Sequence, residues 1–258
     1  MMIEARTIKL SEAEPFLRLM CESFGLDFNR ANTVFFQEPM FDLDRKWALF
    51  DSGKIVSVLT TTPLLFGWGC AAGISGVATR PEVRRSGYAG RLLEHVRLSS
   101  LERGENSLLL FARDRRLYER HGFNMLDHVI RARINTSSAK DPGDILSTEE
   151  VKRIYSFWSS QDADRLVRDE KRWTLWRWNL RFCHAFNDGY IASEGSLVRE
   201  CLYTHGQPNW PLPFGNEWLG LRTMVDRLEV PIFDPQEELI LMGRGFDQVP
   251  QMFMTDQF

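Results

Sequence analysis

The chain has 258 residues, of which 43% are hydrophobic and 26% are charged. This balance is typical of a folded globular protein and excludes a disordered one. The length exceeds the common domain size of roughly 100 to 150 residues, so we expect two units or one enlarged unit. The net charge of −3 argues against a nucleic-acid-binding protein. No segment has the pattern of a signal peptide or a membrane span, so we predict a cytoplasmic protein with no membrane partner.

The first predicted elements are a helix and a β-hairpin. Ser11 is suited to cap a helix that carries Phe16 and further apolar residues at helical spacing. The apolar runs Trp47–Phe50 and Ile55–Leu59 flank a polar turn that contains Gly53. Two apolar runs on either side of such a turn predict a hairpin.

The segment from residue 74 to residue 101 is the most informative part of the chain. Its beginning, Ile74–Ala78, is predicted as a short buried strand, and Leu92, Leu93 and Val96 recur at helical spacing. The basic and glycine-rich turn between them therefore lies at a helix N-terminus, where main-chain N–H groups lack intrahelical partners. Taken alone, this turn is explained equally well by phosphate binding and by a plain tight turn.

A second block follows the turn along the chain. Leu108–Phe111 is a continuous apolar run suited to a central strand, and a short helix is predicted over Arg113–Leu117. Tyr118 comes next, and Gly122 can end the helix in a left-handed conformation with Phe123 packed back on it.

The motifs Arg84-x-x-Gly87-x-Ala89 and Tyr118-x-x-x-Gly122-Phe123, in this order, resemble the GNAT superfamily of N-acetyltransferases. Leu117 stands where the family often has phenylalanine. The resemblance implies an α/β (α+β) fold, the GNAT fold, with a mixed central sheet flanked by helices. It also implies direct transfer of an acetyl group from acetyl-coenzyme A, as co-substrate, to a primary amine of a small molecule.

The same resemblance assigns roles to residues. Tyr118 corresponds to the family's general acid, which protonates the departing thiolate. The pantetheine arm is expected on main-chain groups of Val77, Ala78 and Thr79. The pyrophosphate is expected on the basic turn, which comprises Arg84, Arg85, Ser86, Gly87, Tyr88, Ala89 and Gly90.

The motifs do not identify the base that deprotonates the amine. A carboxylate of Glu38, Asp42 or Asp44 and a water relayed by Ser75 are candidates. Another is the terminal carboxylate of Phe258, because the chain resembles tandem-domain aminoglycoside acetyltransferases of the enhanced-intracellular-survival type, which end in phenylalanine. The alternative for Phe258 is a purely structural role in a packed final strand with Met252, Phe253 and Met254.

Two units are predicted from the second half of the chain. The polar run from residue 135 to 143 marks the boundary, so residues 1–135 are interpreted as the catalytic domain and 136–146 as a linker. Residues 147–258 contain a second hairpin pattern at Gly189–Val198 but no cofactor turn. We interpret them as a degenerate GNAT-like unit that completes the acceptor cleft. A further helix is predicted in Trp218–Leu228, followed by a strand.

Aromatic residues of the second half have two interpretations. Trp173, Trp176 and Leu180 share a helical stripe, which favours core packing between the units over an aromatic wall for the acceptor. The loop Trp210–Phe214, with its two prolines, is interpreted as a cleft rim.

The cysteines predict neither a zinc site nor a disulfide framework. Cys21, Cys70, Cys183 and Cys201 are far apart and form no metal-ligand spacing, so we expect no metal and interpret all of them as buried hydrophobic side chains.

Two other function classes stay open. One is a peptide or protein N-terminal acetyltransferase, and the other is a non-catalytic regulator that binds an acyl-coenzyme A. A homo-oligomer is compatible with either class.

Overall fold

The computed structural model describes residues 3–134, 143–179, 182–186, 188–203 and 216–258. Within these ranges the fold is mixed α/β, as predicted. The elements of the first half are β1 (Ile3–Thr7), α1 (Ala13–Phe24), α2 (Phe28–Phe35), β2 (Lys46–Asp51), β3 (Lys54–Phe66), β4 (Gly69–Thr79), α3 (Tyr88–Glu102), β5 (Glu105–Ala112), α4 (Arg116–Glu119) and β6 (Asn124–Ile134). The elements of the second half are α5 (Thr148–Ser160), β7 (Leu166–Val167), α6 (Glu170–Trp178), β8 (Phe182–Phe186), β9 (Gly189–Glu194), β10 (Leu197–Leu202), β11 (Glu217–Leu221), α7 (Arg222–Arg227) and β12 (Ile232–Arg244).

One mixed sheet runs through both halves of the chain. Its strand order is β1-β2-β3-β4-β5-β12-β6-β11-β10-β9-β8, with β7 paired to β3 outside this path. The pairs β4/β5 and β10/β11 are parallel. Strand β12 pairs with both β5 and β6, so a strand of the second half separates two consecutive strands of the first. The boundaries at residues 135 and 147 stay a prediction, and residues 135–142 lie outside the described ranges.

Two helices cover opposite faces of the first strands. Leu92 and Leu93 of α3 pack against Ile74 and other buried side chains on one face of the sheet. Phe16 of α1 packs on the alternating residues of the other face, including Val58 of β3. Side chains alternate between the two faces of a strand, so every second residue of β2 and β3 points toward α1. The candidate acceptor cavity lies on this α1 face of the sheet.

The second half packs its own helices onto the shared sheet. Tyr155 of α5 and Trp173 and Trp176 of α6 are buried in one cluster with Leu64 of β3 and Leu109 of β5. The two tryptophans are 3% and 4% exposed, in agreement with the interpretation that they form core between the halves. Leu180 and the loop Trp210–Phe214 lie outside the described residues.

Four expectations about secondary structure and burial are wrong. Trp218–Leu221 belongs to strand β11 and pairs with β6, and the helix is confined to Arg222–Arg227. Met254–Asp256 forms a 3-10 turn where a final strand was expected. Ser11 lies within a 3-10 turn, and the N-cap of α1 is Glu12. Cys70 is exposed at the start of β4. Its main chain pairs with β3 and β5, but this pairing does not cover its side chain.

Candidate active site

Strands β4 and β5 diverge at their carboxyl ends. They are paired only from Cys70 opposite Glu105 to Ile74 opposite Leu110. Across β3 the pairing skips from Ser75 to Ala78, and Gly76 adopts a positive φ of 62°. Two residues of β4 thus oppose one of β3, which is a β-bulge, and a bulge bends its strand. The bend opens a cavity of about 600 Å³ between the diverging strand ends.

Tyr118 lines this cavity together with Ile74, Ser75, Val77 and Asp114. Its ring packs against Phe123, with the ring centroids 6.0 Å apart. Burial, with a smaller contribution from the Asp114 carboxylate, raises the pKa of Tyr118 to about 12. The phenol is therefore protonated at neutral pH. Its hydroxyl forms no hydrogen bond with any residue that the structure describes, so it is available to a ligand.

The predicted basic turn has the geometry of an anion site. Arg85 and Gly87 have positive φ values of 66° and 78°, and Gly87 is the N-cap of α3 without a side-chain cap. The main-chain N–H groups of residues 85–90 donate no hydrogen bond within the described part of the chain. Successive unpaired N–H groups at a helix N-terminus attract anions, and phosphates above all.

The side chain of Tyr88 is held away from a ligand on this turn. Its hydroxyl donates to a carboxylate oxygen of Asp51 at 2.7 Å, in the β2–β3 hairpin, and this hydrogen bond lowers the pKa of Asp51. Gly90 is buried against the imidazole of His121, which leaves no room for a Cβ atom. The two sequence blocks that carry the resemblance are therefore in direct contact through Gly90 and His121. Neither Asp51 nor His121 was identified from the sequence.

The three residues expected along the pantetheine arm differ in what they offer. Val77 lies within the bulge and lines the cavity. The carbonyl of Ala78 accepts from the Ser57 hydroxyl at 2.9 Å. The carbonyl of Thr79 accepts from the Arg84 guanidinium at 3.3 Å. The carbonyl oxygens of Ala78 and Thr79 thus already accept hydrogen bonds from side chains of the protein. The main-chain groups around Val77 are the ones left for a pantetheine arm.

A second cavity, of about 390 Å³, lies on the α1 side of the sheet. Its walls come from α1, from β2, β3 and β4, and from the segment that follows β12. Ser75 lines this cavity as well as the first one. The two cavities therefore adjoin at the point where β4 leaves β5.

The predicted base candidates differ in whether they line the second cavity. Glu38, Ser75 and Phe258 line the second cavity, whereas Asp42 and Asp44 do not. The carboxylate of Asp42 instead accepts from the main-chain N–H of Asp44 at 2.9 Å and caps a 3-10 turn. The structure therefore brings three of the five candidates to one place.

A buried ionic network holds the chain just before Phe258. Arg168 donates to both oxygens of Glu200 and to both oxygens of Asp256, at distances from 2.7 to 3.0 Å. All three side chains are at most 1% exposed. Arg172 adds hydrogen bonds to the main-chain carbonyls of Asp256 and Pro63. Sequence reasoning missed this network because charged residues, taken one at a time, are expected on the surface.

The described ranges contain neither a group of side chains that could hold a metal ion nor a helix that is long and apolar enough to cross a membrane.

A family model described as an acetyltransferase (GNAT) domain matches residues 4–126. The chain is similar in structure to a GCN5-related N-acetyltransferase from Kribbella flavida, at 17% identity and a TM-score of 0.71 over 94% of this chain and 70% of that one. It is similarly close to a GCN5-related N-acetyltransferase from Anabaena variabilis, at 15% identity and a TM-score of 0.69 over 94% of this chain and 72% of that one. Eis1 from Mycobacterium abscessus shares the fold at 17% identity and a TM-score of 0.62, over 93% of this chain and 73% of that one.

No curated protein matches the sequence. Residues 4–126, which include the glycine-containing basic turn and the diverging strands, match a GNAT acetyltransferase domain. The protein is therefore an acyltransferase that contains a GNAT acetyltransferase domain, a kind of domain that acts with acetyl-coenzyme A. The low identities to the solved structures establish the shared fold alone.

Proposed function

We propose that the protein transfers an acetyl group from acetyl-coenzyme A directly to the primary amine of a small molecule. The N–H groups of residues 85–90 hold the diphosphate, and the 600 Å³ cavity holds the pantetheine arm and the thioester. The second cavity holds the amine. The observation that carries this proposal is that Ser75 lines both cavities, because acyl transfer requires the two reacting groups to be brought into contact.

The reaction needs no covalent enzyme intermediate. The amine nitrogen attacks the thioester carbonyl carbon, and a tetrahedral intermediate forms. The carbon–sulfur bond then breaks, and the departing thiolate receives a hydrogen bond and a proton from the phenol of Tyr118. One proton of the substrate ammonium passes to a base in the second cavity before the attack, and a second leaves the nitrogen as the amide forms and restores the phenol of Tyr118. This assignment is supported by the half-buried phenol in the first cavity, whose pKa of about 12 keeps it protonated and able to donate a hydrogen bond at neutral pH.

Glu38, a water at Ser75 and the carboxylate of Phe258 are the proposed bases. The last requires that the chain end at Phe258. A variant with a few residues appended after Phe258 tests it, since the appended peptide bond removes the carboxylate. Unchanged turnover and an unchanged pH profile would exclude this group and leave Glu38 or the water.

A small acceptor is favoured by the shape of the second cavity. Its volume is about 390 Å³, and Met254 and Thr255 of the buried segment before Phe258 line it together with Leu17 and Met20 of α1. A volume of this size suits a small molecule.

The decisive experiment measures release of the coenzyme A thiol with a panel of simple amines, amino acids, aminoglycosides and short peptides. We expect release with one class of small amines. Release with peptides alone would support the N-terminal acetyltransferase instead. Tight binding of acetyl-coenzyme A without release in any mixture would indicate the non-catalytic regulator.

A further inference from the structure

We propose that the acceptor is a zwitterion, a primary amine that also carries a carboxylate, and that Lys46 binds the carboxylate. This inference rests on the proposed function, because it names the substrate class of the same site. It is carried by the position of Lys46 and by the charges that face it.

Lys46 lies in the wall of the second cavity and is only 6% exposed. Its ammonium forms neither a hydrogen bond nor an ion pair with any residue in the described ranges. The rings of Phe35 and Phe41 lie near it, with their centroids 5.6 and 5.7 Å from the ammonium nitrogen, and the carboxylates of Glu38 and Asp42 act on it only from beyond ion-pair distance. Buried ammonium groups are ordinarily paired, because removal of a charge from water costs several kcal/mol. A ligand carboxylate in the cavity would supply the missing partner.

The sheet register connects Lys46 to the reacting centre. Lys46 of β2 is directly opposite Thr60 of β3, and Thr60 is directly opposite Ser75 of β4. Side chains at opposed positions share a face, so the three form one polar row. Adjacent strands are about 4.8 Å apart, which places the α-carbons of Lys46 and Ser75 roughly 10 Å apart. An acceptor with its carboxylate at Lys46 can therefore present its amine near Ser75.

The other charged groups of the cavity complete a pattern for both ends of a zwitterion. Glu38 is half-buried in the same wall, and it forms no ion pair with Lys46. Its carboxylate suits the ammonium of the acceptor. Arg199 also lines the cavity, but its guanidinium is engaged by Glu194 at 3.1 Å and by the carbonyl of Met254 at 3.0 Å. Among the residues that the structure describes, Lys46 is thus the cation of this cavity that has no carboxylate within ion-pair distance.

This arrangement favours a carboxylate over two other ligand chemistries. Phosphate is usually bound by the fork of an arginine or by several N–H groups together, whereas Lys46 is a single point charge beside hydroxyl groups. A polycationic acceptor, such as an aminoglycoside, would meet the like charge of Lys46, which no carboxylate of the described residues contacts. The rest of the wall, including Leu17, Met20 and Phe35, is apolar. An amino acid with an apolar side chain fits all of these features.

The test uses L-amino acids, each compared with its own carboxamide, which keeps the amine and the side chain but loses the negative charge. Calorimetry measures the Kd of each compound for the protein saturated with coenzyme A, and a parallel assay measures release of the thiol from acetyl-coenzyme A. The variant is Lys46→Met, which keeps the apolar stem of the side chain. The control is Lys54→Met, a lysine at an exposed position at the start of β3.

We expect the acids to bind more tightly than their amides, and Lys46→Met to weaken the acids by about tenfold or more, the range for a hydrogen bond to a charged group. The amides and the Lys54→Met control should change by less than about twofold. Thermal melting should show that Lys46→Met is at least as stable as the parent, because the unpartnered ammonium is gone.

Equal binding of acids and amides, the same loss for both in Lys46→Met, or no binding by any acid would overturn the inference. Thiol release from acids and amides alike would overturn it while the proposed acetyl transfer stands. Conversely, binding of acids that depends on Lys46, without thiol release from any amine, would support the carboxylate site and contradict the proposed reaction.

Discussion

The ring of Phe258 lies directly on the α-carbon of Gly73. A Cβ atom at Gly73 would come within 2.6 Å of that ring. The ring centroid of Phe258 is also 5.4 Å from that of Phe111 on β5. The last described residue thus packs onto the two strands that diverge beside Tyr118. The walls of the second cavity come from both halves of the chain.

Gly73→Ala should therefore displace the Phe258 ring and slow acetyl transfer. We expect turnover to fall by about tenfold to a hundredfold, the scale of a displacement near 1 Å at a reacting centre. The affinity for acetyl-coenzyme A, measured by calorimetry, should be kept, because the turn at residues 85–90 is untouched. In a Phe258→Ala background the same change should have little further effect. A full additional loss in that background would show that Gly73 does not act through Phe258.

Tyr118→Phe should lower turnover by about a hundredfold or more while the affinity for acetyl-coenzyme A is retained. The reason is that the change removes the proton donor and leaves the ring packed on Phe123. The matched control is Tyr203→Phe, which removes a phenol that donates to the carbonyl of Leu228 in the second half. Steady-state kinetics of both variants provide the comparison. Equal losses in the two variants would contradict a role for Tyr118 in the reaction.

The alkaline side of the pH profile tests the same residue. Burial raises the pKa of Tyr118 to about 12, so the protonated form that donates persists until the pH approaches that value. Turnover should therefore show no decline below about pH 10 that depends on Tyr118. The measurement is kcat against pH for the parent protein and for Tyr118→Phe. A decline near the ordinary tyrosine pKa of about 10, absent in the variant, would contradict this environment.

Gly87→Glu should abolish acetyl-coenzyme A binding, because it introduces a carboxylate at the anion site. Gly195→Glu is the matched control. Both glycines have a positive φ and no atom within 4 Å of the missing Cβ, so both variants carry a similar backbone strain. Gly195 lies in the β9–β10 turn, away from the phosphate site. Calorimetry should show binding in the control alone, and undiminished binding in Gly87→Glu would refute this placement of the diphosphate.

Arg168→Met should lower the free energy of unfolding by about 3–5 kcal/mol, because it leaves the carboxylates of Glu200 and Asp256 buried without a cation. Chemical denaturation measures the change. Arg18→Met serves as the control, since Arg18 forms an exposed ion pair with Glu14 that contributes about 0.5 kcal/mol or less. A small effect in both variants would mean that the network is not needed to hold the final segment.

The sequence by itself determined the local elements of the first half of the chain. The strand before Arg84, the helix after Gly87 and the block from Tyr118 to Phe123 are each specified within a few neighbouring residues. Turn chemistry and hydrophobic periodicity act over that range. The structure has each of these elements in the predicted order.

Only the tertiary structure determined which residues come together around the second cavity. The insertion of β12 between β5 and β6, the buried pair of Arg168 and Glu200, and the position of Lys46 opposite Thr60 all join residues that are distant in the chain. No local pattern marks such contacts, because a strand's partner and a charge's burial depend on the whole packed sheet. From the sequence, a charged residue is expected on the solvated surface. Only the folded structure shows that such a residue is buried without a partner, which makes it a candidate binding group.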